Sequence, residues 1–277
     1  MRVWHFIPKP FEIRTVKPAH AQAIEMSDVP KKKFEATYYD SEYFTGEKGG
    51  KSYKAADGTL HKWSYFNPSG EWTGCRHIVA AWKEMFTPKN LLDVGCGRGQ
   101  IISYARDIGI AAEGFDFSEW ATGDEGRYEG TKAEWVKCHD ATEKWPYPDN
   151  SFDLVVSLDL LEHIYVEDID FVLSEICRVA RKWVFLQIAV SETGGLQGRS
   201  EAGYNLEKNN AVPIGLEGCA VAGHVTVMSE SFWIDKIDLE DLFLRRDLKE
   251  YFVSLVSPDV IKNWLLNSIL IYEKLED

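Results

Sequence analysis

The stretch Leu91-Leu92-Asp93-Val94-Gly95-Cys96-Gly97-Arg98-Gly99 decides the fold. Its apolar start reads as a buried strand, its glycines as a turn, and the run from Ile101 to Ile108 as the helix that follows. Glycine at such a turn permits positive φ and removes the Cβ that would hold a ligand off the backbone. Asp93, at the strand end, sits where a carboxylate can hold an ammonium group. The acid precedes a G-x-G-x-G spacing, and Gln100 stands where a dinucleotide fingerprint would place its third glycine. That spacing disfavours a nicotinamide dinucleotide and leaves another nucleoside ligand as the expectation.

Three later segments repeat the pattern of apolar run and polar tip. Ile110 to Phe115 ends in Asp116-Phe117-Ser118, where a carboxylate can accept both hydroxyls of a ribose, a charge-assisted contact of roughly 1.5–3 kcal/mol. Asp116 reads equally as the cap of a helix over Glu119-Trp120-Ala121, and the two roles are compatible. A third run, Ala133 to Val136, delivers Asp140-Ala141, whose carboxylate and backbone can read an adenine edge while Phe117 covers its face. After the turn Trp145-Pro146-Tyr147-Pro148-Asp149-Asn150-Ser151, the run Phe152 to Ser157 reads as a buried fourth strand. It leads into Leu158-Asp159-Leu160-Leu161-Glu162-His163.

In this order the segments resemble the class I S-adenosylmethionine-dependent methyltransferases, including the variant with a Pro-x-Pro-Asp-Asn-Ser-Phe-Asp stretch before its fourth strand. The resemblance covers Lys89 to Val190 well and the rest more loosely. It implies an α/β, Rossmann-like fold: a seven-stranded, mostly parallel sheet with helices on both faces, an antiparallel last strand and an N-terminal cap. The cofactor it implies is S-adenosylmethionine. Asp93, Gly95, Gly97 and Gly99 would seat the methionine part, Asp116 the ribose, and Phe117, Asp140 and Ala141 the adenine, with Leu158 and His163 close by. Tyr38 to Phe44, followed by Trp72 to Arg76, resembles the opening segment of methyltransferases of glycan and secondary-metabolite pathways. There an aromatic stretch folds over the cofactor and an arginine, here Arg76, meets its carboxylate; Tyr39, Tyr43 and Phe44 can equally plug the sheet.

Methyl transfer from a sulfonium needs alignment and an unprotonated acceptor, so one base can suffice. His224, between a glycine-rich stretch and Val225-Thr226-Val227, reads either as that base or as a pin for the adjoining loop. Asp159-x-x-Glu162-His163 resembles the E-x-x-E-H stretch of metal-dependent O-methyltransferases, and His224 falls where the RNA-directed ones add a later histidine. The carry-over implies a divalent ion such as Mg held by Asp159, Glu162, His163 and His224, although Asp159 is one methylene shorter than the glutamate it replaces. Many relatives carry Leu-Glu-His here without metal. The expected activity is O-methylation of a small molecule or sugar hydroxyl, with an amine as second acceptor. A non-catalytic cofactor-binding regulatory module and a metal-dependent RNA 2′-O-methyltransferase are the alternatives.

A net charge of −13 over 277 residues argues against nucleic acid as partner. Five cysteines, odd in number and without a C-x-x-C pair, argue against a disulfide framework or zinc ribbon and for a reducing, cytoplasmic setting. No apolar run approaches a membrane span. Residues 1–75 read as an arm or cap and 76–277 as the methyltransferase domain, with the glycine-rich 191–223 as a lid over the acceptor. Helices are expected at Cys75–Met85, from Ile169 through Val179 with Arg178, Arg181 and Lys182 at the C-terminus, and at Glu230–Phe243. Further strands are expected at Trp183–Val190, Glu250–Val256 and Ser268–Lys274, the last antiparallel beside the fifth.

Overall fold

Apolar runs of five to eight residues, each followed by an amphipathic stretch, set up alternating strands and helices. The computed structural model describes residues 34–48, 50–54, 60–63, 74–190, 210–211, 223–238, 241–256 and 269–275, all within the unit Lys31–Asp277. In chain order the strands are β1 Lys51–Lys54, β2 Leu60–Trp63, β3 Asn90–Val94, β4 Ala111–Asp116, β5 Val136–Cys138, β6 Phe152–Leu158, β7 Ala180–Gln187, β8 Asn210–Ala211, β9 Thr226–Val227, β10 Leu242–Leu244 and β11 Ile269–Lys274. The helices are α1 Ser41–Thr45, α2 Cys75–Phe86, α3 Gln100–Asp107, α4 Glu119–Thr122, α5 Ile169–Val179, α6 Glu230–Ile237 and α7 Arg246–Leu255.

The main sheet has seven strands in the order β10-β11-β7-β6-β3-β4-β5. Strands β3 to β7 are mutually parallel, and β11 runs antiparallel between β7 and β10. A parallel sheet is buried on both faces, which is why β6 reads as a continuous apolar run rather than an alternating one. On one face Ile78 and Trp82 of α2, Ile102 of α3 and Phe252 of α7 pack together; on the other, Val172 and Ile176 of α5 and Trp233 of α6 do so. Arg178 ties α5 to the proline-rich turn, donating to the Tyr147 carbonyl at 2.7 Å and the Asp149 carboxylate at 2.8 Å. Lys274 of β11 donates to the Cys177 and Ala180 carbonyls at 2.7 and 3.0 Å, satisfying the end of α5.

The fold class, the glycine turn, α2 and the antiparallel β11 agree with expectation, as does the start of α5. Four boundaries do not. Ala133–Trp135 is a 3₁₀ turn, and the strand begins only at Val136, where it meets Gly114 of β4. The fifth strand starts at Ala180 rather than Trp183 and stops at Gln187, so Arg181 and Lys182 lie in it rather than at the end of α5, which stops at Val179. Glu230–Phe243 is not one helix: α6 ends at Ile237 and Leu242–Leu244 is the sixth strand. Glu250–Val256, expected as that strand, lies in α7 and the residue after it, because Leu248, Phe252 and Val256 recur at helical spacing and pack against the sheet. Of the expected arm, residues 34–48 and the antiparallel pair β1–β2 are described. Of the expected lid, only Asn210, Ala211 and Gly223 fall within the described residues. No helix among the described residues is long and apolar enough to cross a membrane.

Gly114 lets β4 lie against the glycine turn. A Cβ there would stand 2.5 Å from the Asp93 carbonyl oxygen and 2.8 Å from Ile102 Cδ1. Gly114→Ala is therefore expected to destabilise the protein by about 1–3 kcal/mol, as overpacking does, read as a lower denaturation midpoint in urea. An unchanged midpoint would show that the backbone contact yields at no cost.

Candidate functional site

The chain lays β3, β4 and β5 outward in one direction and then returns to place β6 and β7 on the other side of β3. At such a switch point the loops leaving adjacent strand ends part and open a crevice. Here the two tips almost touch: a Cβ on Gly95 would lie 2.9 Å from Leu160 Cδ1. Gly95, Gly97 and Gly99 all adopt positive φ, at 75°, 50° and 80°. The Gly95 and Cys96 amides both donate to the Phe115 carbonyl, at 2.9 and 3.0 Å, folding the turn back onto β4.

A cavity of about 360 Å³ occupies the crevice. One end is walled by Asp93, Gly95, Gly97, Asp116, Phe117 and Leu158, with Asp140 and Ala141 beyond them. The other wall includes Tyr39 and Tyr43 from the N-terminal segment, and Asp159, His163 and Tyr165 after β6. Phe44 closes over the turn, 3.5 Å from where a Cβ of Gly97 would be, and stacks on Trp120 at 5.6 Å. Asp116 Oδ2 accepts the Gly97 amide and Oδ1 the Ser118 amide, both at 2.9 Å. Asp140 Oδ1 accepts the Thr142 amide and hydroxyl, each at 2.8 Å, and the Ala141 carbonyl accepts Trp145 Nε1 at 2.9 Å.

Burial, reinforced by the Asp116 charge, pushes the Asp93 carboxyl up to about 8. Burial also raises Asp116, against the pull of its two amides. On the opposite wall, Asp159 adopts φ 50° and its Oδ1 accepts Gln187 Nε2 at 2.8 Å. Burial raises both Asp159 and Glu162, and the Asp159 charge adds to the rise in Glu162. Glu162 Oε1 accepts the Ala189 amide at 3.1 Å, while Oε2 is buried without a hydrogen-bond partner among the described residues. Burial lowers His163 to about 4 and His224 well below the usual histidine range, with His163 adding to the fall in His224, so both rings are uncharged at neutral pH.

Four expected residues are not among those lining the cavity: Gly99, Glu162, Arg76 and His224. Arg76 has a side chain 59 % exposed, lying 3.8 Å over the Tyr104 ring and 3.9 Å from Asp107, so it is directed away from the glycine turn. His224 is buried behind His163, the rings in edge-to-face contact at 4.5 Å, and its Nδ1 is without a hydrogen-bond partner among the described residues. Of the four expected metal ligands, Glu162, His163 and His224 bring donor atoms within 4.8 Å of one another; Asp159 stands outside that group, its Oδ1 held by Gln187. The sequence reading missed Tyr165 and Asp168 on the wall, and Gln187 behind it. Their signal was position, in the turn after a fourth strand and at the tip of a fifth.

A family model described as a methyltransferase domain matches residues 92–186. The chain is 34 % identical over 97 residues to norajmaline N-methyltransferase and, over a stretch of the same length, to ajmaline N-methyltransferase, both of Rauvolfia serpentina. Each match spans 34 % of this chain and about a third of the relative, 32 % and 33 %. Among solved structures, a protein of Pyrococcus horikoshii OT3 is similar at TM-score 0.50 and 14 % identity, covering 73 % of this chain and 90 % of that one. The plantazolicin methyltransferase in complex with SAH is similar at the same TM-score and identity, covering 74 % and 85 %. These likenesses show the fold, and the family match falls on the strands, turn and strand ends that build the crevice. Residues 92–186 of the chain are thus similar to a methyltransferase domain, set in a fold shared with those solved structures.

Proposed function

We propose that the chain transfers a methyl group from S-adenosylmethionine to an oxygen or nitrogen of a small organic acceptor. The observation that carries this reading is one cavity in which the glycine turn and two strand-end carboxylates, the buried Asp93 and the half-buried Asp116, face the same space. Among the described lining residues Arg98 is the sole Lys or Arg, and its Nε is held by the Gly126 carbonyl at 2.5 Å. Carboxylates thus outnumber cations around a cofactor that carries both a sulfonium and an ammonium. On this reading Asp93 would hold the ammonium, Asp116 the ribose, and Phe117, Asp140 and Ala141 the adenine.

The cofactor supplies an activated methyl group; the chain's own residues hold donor and acceptor in line and keep water out. Tyr39, Tyr43, Ile164 and Tyr165 offer the acceptor apolar and aromatic faces, which suit a ring-bearing molecule. His163 is the imidazole on the wall, uncharged and therefore able to receive a proton, with His224 backing it. The named activity of the Rauvolfia relatives favours nitrogen, whereas the histidine pair suits a hydroxyl. A sugar enters the same class as a hydroxyl acceptor.

A second reading rests on two buried orphans, Glu162 Oε2 and His224 Nδ1, which with His163 form a compact donor set. Nitrogen and carboxylate donors of this kind fit a divalent cation. Bound there, it would lower the pKa of an acceptor hydroxyl.

Calorimetric titration with S-adenosylmethionine is expected to show binding that Asp116→Ala weakens about tenfold or more, a loss of ~1.4 kcal/mol or more. Equal affinity in the variant removes the ribose role. Because free Asp93 keeps its proton up to about pH 8, and an ammonium beside it favours the ionised form, binding near pH 6.5 should release a proton and tighten as pH rises towards 8. Calorimetry in buffers of different ionisation enthalpy reads that proton; Asp93→Asn should abolish it, and its persistence in the variant removes the assignment. For the metal reading, chelator-treated protein should melt at higher temperature when Mn²⁺ is added, and Glu162→Gln should lose the shift. No Mn²⁺-dependent shift in the parent protein ends that reading. A labelled-methyl assay over amines, phenols, sugars and RNA identifies the acceptor, and absence of turnover on all of them leaves the non-catalytic module.

A further inference from the structure

The described lining of the cavity sets six side-chain carboxylates, Glu47, Asp93, Asp116, Asp140, Asp159 and Asp168, against one guanidinium, that of Arg98. Asp93 is 3 % exposed, and its carboxylate accepts no hydrogen bond from a described residue. A carboxylate so withdrawn from water and so left without a donor calls for a cation brought by a ligand. The cofactor meets only part of that demand, because its sulfonium and ammonium are offset by its own carboxylate. Beyond the cofactor end stand Asp159, with Oδ1 taken by Gln187 Nε2, and Asp168. Asp168 precedes α5 without capping it through its side chain, and its amide donates to the Tyr165 carbonyl at 2.9 Å, so one short turn carries both residues to the wall.

Aromatic rings stand beside these carboxylates. Tyr39 and Tyr43 lie 4.8 Å apart with their planes at 72°, two walls close to a right angle. Tyr39 also packs against the cluster that holds Phe34 and Tyr165, and all four rings line the cavity. Several rings at steep angles to one another, with a carboxylate nearby, suit the head group of an ammonium ion, which ring faces attract from within about 6 Å.

Methyl transfer disposes of charge differently with the two classes of acceptor. With an amine, the nitrogen lone pair forms the new C–N bond while the C–S bond breaks, its electron pair passes to sulfur, and the positive charge moves from sulfur to nitrogen. The neutral amine and the sulfonium together carry one positive charge throughout. A hydroxyl must first give up its proton, and the resulting oxyanion and the sulfonium together carry none. A carboxylate-rich space of low dielectric stabilises the first transition state over the second. We infer that the acceptor is an amine on an apolar or aromatic skeleton, whose nitrogen becomes a cation among the rings of Tyr39, Tyr43 and Tyr165 beside the Asp168 carboxylate. This inference rests on the methyltransferase reading and narrows its acceptor.

The test uses the full chain saturated with S-adenosylhomocysteine and two probes of one shape. One is choline; the other is the uncharged alcohol in which a tert-butyl group replaces the trimethylammonium. Calorimetric titration is expected to show choline bound about tenfold or more tightly than its isostere. Asp168→Asn and Tyr43→Leu should each shrink that ratio severalfold, and the ratio separates lost cation recognition from general damage, which weakens both probes alike. Equal affinity for the two probes overturns the inference, as does failure to bind choline, or a ratio that neither variant changes. Transfer of label to a phenol or a sugar in preference to an amine overturns it too. Failure of S-adenosylhomocysteine itself to bind strikes the underlying methyltransferase reading and this inference with it, so the two failures are told apart at the first titration.

Discussion

Two backbone amides meeting on one carboxylate hold this site together. Gly97 belongs to the turn after β3 and Ser118 to the loop after β4, and both donate to Asp116. The contact locks adjacent strand ends at a fixed separation and orients the carboxylate before any ligand arrives. It depends in turn on glycine geometry, since the turn reaches Asp116 only through residues at positive φ and packs against Gly114, where no side chain fits. The crevice is therefore shaped by backbone, and side chains furnish it.

Its furnishing is electrostatically unfinished. Asp93, buried, and Asp116, half-buried, lie near each other, and the one Lys or Arg on the described wall, Arg98, has its Nε held by the Gly126 carbonyl, an arrangement that costs free energy in the free protein. A cationic ligand relieves the strain, so affinity and protonation are coupled by construction. The opposite wall follows another logic. Asp159, Glu162, His163 and His224 are withdrawn from water until the imidazoles lose their charge and the carboxyls hold their protons more tightly. One end of the cavity thus invites positive charge, and the other stores proton-accepting groups.

Much of this was legible from local pattern. The glycine turn, Asp116 and the Pro-rich approach to β6 are short-range features, each decided by a handful of adjacent residues, and the crevice opens at the strand ends they mark. The failures are long-range. Tyr-Phe-Val-Ser-Leu-Val at 251–256 has strand-like composition, and only packing of Leu248 and Phe252 against the sheet makes it helical. Arg76 follows Gly74-Cys75 as the resemblance requires, yet helix phase turns it towards Tyr104. His224 and His163 are both histidines near a strand end in sequence, and nothing local says which one faces the cavity and which stands behind. Tyr39 shows the same limit: its partners, Ser118, His163 and Gly223, are distributed across the chain.

The position of β11 has a consequence for how the molecule is made. Residues 269–274 are translated after every other strand of the main sheet, yet they lie inside it, paired with β7 on one side and β10 on the other. Until that segment leaves the ribosome, β7 presents a naked edge of unpaired amides and carbonyls, the end of α5 lacks the Lys274 ammonium, and β10 has no strand to join. The parallel half of the sheet can assemble during synthesis, but closure must wait for the final insertion. A nascent chain stalled before it exposes a surface ready to pair with another copy of itself.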